Sequence, residues 1–194
     1  MAASLSSSRF TLRTAIETDL TDLKFVMNLA IEELQRGFLS DEEIVASHAV
    51  MGLDTQLVAD GTYFVIEHGS TIAGCGGWSR RATLYGGDHA SDLREPRLLN
   101  AGQEGARIRA MYTHPAFARR GVGRLILQHC ETAALSEGFK RAELMATLAG
   151  EPLYRACGYH QVERIMAIVD GIEVPLVRME KLLASVATDR DFGA

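Results

Sequence analysis

Apolar and polar residues alternate through Arg9-Phe10-Thr11-Leu12-Arg13-Thr14-Ala15-Ile16, the period of a half-buried strand. The period then lengthens. Leu20, Leu23, Phe25, Val26, Leu29, Ala30 and Leu34 recur largely at three- and four-residue intervals, a helical stripe that Thr18 or Asp19 can cap and Gly37 can end. Ser40 stands three residues before Glu43, the spacing of a capping box, so a second helix is expected to run to about Met51. Residues 62–67 and 71–79 read as strands turned at His68-Gly69-Ser70, an antiparallel meander that follows Asp60-Gly61. Gly74, Gly76 and Gly77 inside the second strand weaken it and point to a bulge or a close backbone approach.

Periodicity fails over residues 82–105, where Gly86-Gly87-Asp88-His89, Pro96, Asn100, Gly102 and Gly105 make a long irregular segment, the kind that usually carries function or lacks order. It returns as a strand over 106–113. A helix over 122–137 follows, with Val122, Leu125, Ile126, Cys130, Ala133 and Ala134 on one face and Gly138 as its stop. Residues 140–148 read as a strand and 152–157 as a short helix. Residues 159–169 and 172–179 read as two strands joined at Asp170-Gly171, a hairpin signal. Without a repeat or a second core, this order gives one mixed α/β domain over 9–183, with tails at 1–8 and 184–194.

Composition narrows the class. Hydrophobic residues make up 47% and charged residues 23%, the balance of a soluble globular protein. The net charge of −5 argues against a general nucleic-acid binder. Cys75, Cys130 and Cys157 stand singly, which fits neither a disulfide framework nor a zinc site and suits a reducing cytoplasm. The Ala/Ser-rich start has no apolar core of a signal peptide, and no run reaches a membrane span.

Against that acidic background, Ala118-Arg119-Arg120-Gly121-Val122-Gly123-Arg124 is locally basic, with Arg107 and Arg109 nearby in sequence. A helix start offers unpaired N–H groups and a positive dipole end, glycines let a ligand approach the backbone, and arginines bind phosphate. The segment therefore asks for a small phosphate-bearing ligand.

The order of motifs from Arg107 to Tyr159 resembles the GCN5-related N-acetyltransferase (GNAT) superfamily. That family's signature, Gln/Arg-x-x-Gly-x-Gly/Ala after a strand and a proline-containing loop, reads here as residues 118–123 after Met111-Tyr112-Thr113-His114-Pro115, with Ala118 in the first position. Its second segment, Leu-Tyr-x-x-x-Gly-Phe/Tyr, reads Leu153-Tyr154-Arg155-Ala156-Cys157-Gly158-Tyr159, and Thr147 stands where an asparagine is frequent. The likeness covers roughly 10–180 and is specific between 107 and 159. It implies a GNAT-like single domain, with a central mixed, mostly antiparallel sheet flanked by helices. It also implies acetyl-CoA as co-substrate, bound by Met111, Tyr112, Thr113, Arg119, Arg120, Gly121, Val122, Gly123 and Arg124, with no metal. The pyrophosphate is expected on the N–H groups of residues 120–124, and an N–H near Met111 is expected to face the thioester oxygen.

Tyr154 matches the family's general acid. Proton donation from a phenol of pKa about 10 to a thiolate of pKa about 8.5 is uphill by about 2 kcal/mol, small beside a transfer barrier. An alkylammonium must also lose its proton before attack. Glu33, with Glu32 beside it late in the first helix, is the residue expected to take that proton, and Glu67, Asp88, His89 and Glu104 are alternatives, as is a water chain. Trp78, Tyr85 and Phe38 are weighed as lining of an acceptor pocket, and His114 as structural.

The resemblance thus implies acetyl transfer to a primary amine of a small molecule or peptide, with no nucleic acid or membrane partner. The acidic balance mildly favours a cationic acceptor. A non-catalytic acyl-CoA-sensing module of the same fold is the alternative. A nucleotide-binding loop fits less well, because neither Gly-x-x-x-x-Gly-Lys-Ser/Thr nor Gly-x-Gly-x-x-Gly is present. The terminal hairpin at 159–179 offers an edge on which a homodimer can form.

Overall fold

The computed structural model describes residues 9–184. The tails expected at 1–8 and 184–194 lie outside them, Ala184 excepted. The chain runs β1 (Phe10–Thr14), α1 (Leu20–Leu34), α2 (Asp41–Val50), α3 (Thr55–Ala59), β2 (Tyr63–His68), β3 (Thr71–Ser79), β4 (Ala106–Thr113), α4 (Val122–Ser136), β5 (Arg141–Thr147), α5 (Glu151–Ala156), β6 (His160–Val169) and β7 (Ile172–Leu182). The strands form one seven-stranded sheet in the order β1-β2-β3-β4-β5-β7-β6. Every neighbouring pair is antiparallel except β4 with β5.

Alternation along the strands builds a core on each face of the sheet. Phe64 and Ile66 of β2 pack with Val122, Ile126 and Leu127 of α4, while Tyr63 and Val65 pack with Leu23, Val26 and Ile31 of α1. The glycines of β3 explain how close α4 comes. A Cβ on Gly74 would lie 2.6 Å from Val122 Cγ1 and 2.9 Å from the Tyr112 carbonyl oxygen, and one on Gly76 would lie 2.3 Å from Met111 Sδ. Helix α4 therefore rests on bare strand, and the expectation of a bulge or close approach at these glycines holds for both alternatives, as the pairing of β3 with β4 shows below.

Local signals act as expected at α2 and at the last hairpin. Glu43 N–H donates to Ser40 Oγ at 3.3 Å, and Ser40 N–H donates to Glu43 Oε2 at 2.7 Å, closing the capping box. Asp170 (φ 50°) and Gly171 (φ 84°) both take left-handed backbone, as a two-residue hairpin turn requires. Two details differ. Asp19 does not cap α1 through its side chain; its carboxylate accepts from the Ile16 N–H at 2.8 Å and from Arg13. Helix α3 was not expected at all. It starts where Asp54 accepts from the Gln56 N–H at 3.1 Å and is too short to show a hydrophobic period.

Candidate active site

The parallel pairing of β4 with β5 is brief. It joins Ala106 to Ala142, Arg107 to Glu143 and Ile108 to Leu144, and then stops, although both strands continue. The cause lies one residue further along β4. Cys75 pairs with Tyr112 and Gly77 with Arg109, so a single β3 residue, Gly76, stands opposite two on β4, Ala110 and Met111. Such a bulge sharpens the twist of its strand. Ala110 takes a φ of 50°, unusual for a residue with a side chain. Past the bulge, the edge of β4 borders a cleft lined by Ala110, Met111, Tyr112, Thr147, Gly150 and Tyr154.

The bulge is clamped from below. Tyr63, fully buried, donates its hydroxyl to the Ala110 carbonyl at 2.7 Å, and Cys75 Sγ lies 3.3 Å from the Tyr63 hydroxyl oxygen. In a trans peptide the C=O and the following N–H point opposite ways, so this bond directs the Met111 N–H away from Tyr63. Tyr112, also buried, donates to the Gly52 carbonyl at 3.1 Å and accepts from the Gly52 N–H at 3.0 Å. That fixes the segment after α2 against β4.

The start of α4 lies at the far end of β4. Arg119 (φ 63°) and Gly121 (φ 87°) turn the chain through left-handed backbone, and no side chain caps the helix. The first intrahelical bond runs from the Leu125 N–H to the Gly121 carbonyl at 3.0 Å, so the N–H groups of Val122, Gly123 and Arg124 have no acceptor within the helix. The two glycines have different reasons. Gly121 has open space around it and is needed for its φ. A Cβ on Gly123 would lie 2.8 Å from Leu153 Cδ2, so Gly123 lets α5 pack against the start of α4. The turn into α4 is thereby tied to the helix that carries Tyr154.

The basic cluster read from the sequence is dispersed. Arg119 and Arg124 are exposed at the turn, without a hydrogen bond or ion pair among the described residues. Arg120 lies over the rings of Phe10 and Phe117, at 5.3 and 5.1 Å from their centroids. Arg107 and Arg109 take no part: Arg107 pairs with Glu143 at 2.6 Å, and Arg109 pairs with Asp54. His114 is structural as expected, with Nδ1 accepting from the Ala116 N–H at 3.2 Å.

Tyr154 sits on α5 with its ring edge-on to Tyr159. Gly150 leaves room for it, since a Cβ there would lie 3.2 Å from Tyr154 Cε2. Thr147 Oγ1 accepts from the Gly150 N–H at 3.1 Å and so shapes the turn into α5. The residue is 7% exposed, yet it lines the cleft and its hydroxyl makes no hydrogen bond among the described residues. Burial pushes the phenol well above its ordinary pKa, so it stays protonated through the neutral range.

The residues weighed as proton acceptors are not brought to Tyr154. Glu33 and Glu32 are exposed on α1, and neither lines the cleft. Glu67 pairs with Arg13 at 2.8 Å, and Glu104 with Arg97 at 2.9 Å. Asp88 pairs with Arg94 at 2.9 Å, and His89 Nε2 lies 3.0 Å from the Ala49 carbonyl. Of the three aromatics considered for an acceptor pocket, Tyr85 lines the cleft, Trp78 is buried in the core against Phe139, and Phe38 is exposed elsewhere.

Sequence reasoning named Arg109, Asp88, Gly87 and Tyr85 singly but not Asp54, Arg94 or the way these residues wall the other end of the cleft. Arg109, within the cleft lining, is almost wholly buried; its Nη1 pairs with Asp54 and its Nη2 donates to the Gly86 carbonyl at 2.6 Å. Burial works against the arginine's charge and Asp54 works for it. Arg94 adds a second ion pair to Asp54 at 2.8 Å, and Asp88 accepts from the Thr55 N–H at 3.1 Å. Gly52 and Gly87 meet backbone to backbone: a Cβ on Gly87 would lie 2.7 Å from Gly52 Cα. The long segment after β3 is thus pinned over the cleft, and Ala82 and Leu99 N–H groups bond the Arg97 and Arg80 carbonyls at 2.9 and 2.7 Å.

A sheet parted at a bulge, with an uncapped helix start on one side and a phenol across the gap, is the framework of an N-acetyltransferase of the GNAT type. The profile of the acetyltransferase (GNAT) family matches residues 24–159, and the chain belongs to that family. No curated protein matches the chain. Among solved structures it is similar to a GCN5-related N-acetyltransferase from Rhodopseudomonas palustris, with 17% identity, 93% of this chain and 100% of that one covered and a TM-score of 0.66. It is also similar to yncA, a putative acetyltransferase from Salmonella typhimurium solved with acetyl-CoA (18% identity, 94% and 99% covered, TM-score 0.59). A third is the PaiA N-acetyltransferase from Thermoplasma acidophilum, in complex with coenzyme A (16% identity, 90% and 99% covered, TM-score 0.57). Within the described residues, no helix is long and apolar enough to cross a membrane, and no cluster of side chains could hold a metal ion.

Proposed function

We propose that this chain, over residues 9–183, is an acetyl-CoA-dependent N-acetyltransferase that moves the acetyl group directly to a primary amine, with Tyr154 as general acid. The observation that carries this reading is the juxtaposition of an opened β4 edge at the Ala110–Met111 bulge with the unbonded Tyr154 hydroxyl in the same cleft. The N–H groups of Val122, Gly123 and Arg124, with Arg119 and Arg124 beside them, suit the pyrophosphate of coenzyme A. The freed edge from Met111 to Thr113 suits the amide-bearing pantetheine arm, in the manner of an added strand.

In this mechanism the Met111 N–H, held by the Tyr63–Ala110 clamp, stabilises the charge that develops on the thioester oxygen as the neutral amine attacks. The carbon–sulfur bond breaks as the carbon–nitrogen bond forms. Tyr154 gives its proton to the departing sulfur and regains one from solvent, while the amine nitrogen loses one. Burial that raises the Tyr154 pKa also disfavours the thiolate in the same cleft, so the difference between the two acids stays near the ordinary one. With no carboxylate among the described residues of the cleft lining, the proton lost by the ammonium leaves through water in this reading, in place of Glu33. The unpaired Tyr154 hydroxyl also favours turnover over the sensing of acyl-CoA without reaction. The three free thiols, Cys75, Cys130 and Cys157, accord with work in a reducing cytoplasm.

The test is release of free thiol from acetyl-CoA over a chemically diverse amine panel. Amine-dependent thiol release with formation of the N-acetyl product is the expected result. Tight binding of acetyl-CoA with no release for any amine supports the sensing alternative instead.

A further inference from the structure

The cleft passes between β4 and β5, and its two ends differ. One end carries Thr147, Gly150 and Tyr154, on the side where α5 packs through Leu153 against Gly123 at the start of α4. The other end lies under α2, which packs on β7 and β6, and under the pinned segment after β3. If the donor occupies the α4 end, the acceptor has the α2 end. That end has an apolar wall, since Val50, Met51, Tyr85, Met145 and Leu176 belong to one hydrophobic cluster and line the cleft together, facing Arg109 and the backbone of Gly52 and Gly86.

Among the described residues, the single charged side chain in the lining is Arg109, and its charge is paired with Asp54. Its side chain is 4% exposed, Asp54 pairs with Nη1, and the Gly86 carbonyl accepts from Nη2. Asp54 is itself held by Arg94. Among the described residues, no aspartate or glutamate lines the cleft. A second ammonium on the acceptor would therefore lose its water with no carboxylate among the described lining residues to replace it, and a carboxylate would meet an arginine whose charge Asp54 already neutralises, with its buried Nε as the donor left without a partner. An apolar body loses nothing by entering and gains from burial.

We infer that the acceptor is an apolar monoamine, an alkyl or arylalkyl primary amine whose only charged group is the one that reacts, with its body against Met51, Tyr85, Met145 and Leu176. This rests on the acetyltransferase reading above. It replaces the cationic acceptor that the acidic composition favours. It also accounts for the lack of a dedicated base: desolvation in an apolar chamber lowers the pKa of an alkylammonium, so the neutral amine forms without a carboxylate beside it.

The experiment compares phenethylamine, hexylamine, cadaverine and phenylalanine as acceptors for the wild-type chain, by thiol release from acetyl-CoA. Phenethylamine and phenylalanine share a ring and differ by a carboxylate; hexylamine and cadaverine are similar chains that differ by a second ammonium. The expected kcat/KM is at least about tenfold higher for the monoamine of each pair, a difference of about 1.4 kcal/mol. A parallel measurement on Leu176→Asp should narrow the hexylamine-to-cadaverine ratio by about tenfold, through a carboxylate placed in the chamber. Equal or greater activity with cadaverine or phenylalanine on the wild type overturns the inference while leaving the acetyltransferase reading intact. Absence of thiol release with every amine overturns that reading itself. The wild-type comparison stands even if Leu176→Asp fails to fold.

Discussion

At the scale of single residues, two tyrosines divide the work. In the proposed mechanism Tyr154 meets the reactants, and Tyr63 acts through the backbone by holding the Ala110 carbonyl at 2.7 Å. Tyr63→Phe keeps the buried ring and releases that carbonyl. It should lower kcat about tenfold, as loss of aim at an oxyanion donor does, with little change in acetyl-CoA affinity. The carbonyl stretch of the bound thioester should move toward its free value in the same variant. Cys75→Ala removes the sulfur beside the hydroxyl but leaves the Tyr63–Ala110 bond, and its kcat should match the wild type. A second consequence concerns pH. Because burial raises the Tyr154 pKa, the acid form persists as the pH rises through neutrality, and the proton that must leave is the amine's. The acceptor kcat/KM should therefore climb about tenfold per pH unit below the amine pKa. Tyr154→Phe should lower the whole profile without moving that rising limb. A limb that disappears in Tyr154→Phe would instead assign the titration to the tyrosine.

Elements show why some features were legible in the sequence and others were not. The capping box at Ser40 and Glu43, the Asp170-Gly171 turn and the glycines at the start of α4 are local: their reasons lie within a few residues, and each can be read from spacing. The bulge in β4 was not, because its left-handed residue is an alanine, which carries no such signal. Helix α3 was hidden by its brevity. The glycines of β3 were legible as a place of close approach, though not as the seat of α4. That role predicts a cost. Gly74→Ala would press Cβ against the Tyr112 carbonyl, a backbone atom that cannot swing aside, and should destabilise the fold by about 1–3 kcal/mol in chemical denaturation. Gly123→Ala meets only the flexible end of Leu153, so a smaller loss is expected by the same measurement.

Over the whole molecule, the sheet is continuous at its edges and parted at its centre, and the parting is where the two halves of the site meet. The proposed donor half rests on consecutive residues from β4 into α4, the stretch that carries the motifs. The proposed acceptor half is assembled from the end of α2, the segment after β3, β5 and β7, so no short window of sequence contains it. Its anchor, Arg109 with Asp54, joins positions 55 residues apart, and in sequence Arg109 reads with the basic cluster near it instead of with Asp54. The sequence placed the proton acceptor on Glu33, by likeness of its helix to those that border acceptor sites, and the structure leaves Glu33 exposed and outside the cleft. The central claim is that this opened sheet performs acetyl transfer with Tyr154 as the acid. The most direct measurement compares wild type and Tyr154→Phe in two quantities, kcat for amine-dependent thiol release and the Kd of acetyl-CoA. A fall in kcat of about a hundredfold or more with a Kd unchanged within about twofold is the predicted result. An unchanged kcat, or a loss of activity matched by an equal loss of acetyl-CoA binding, contradicts it.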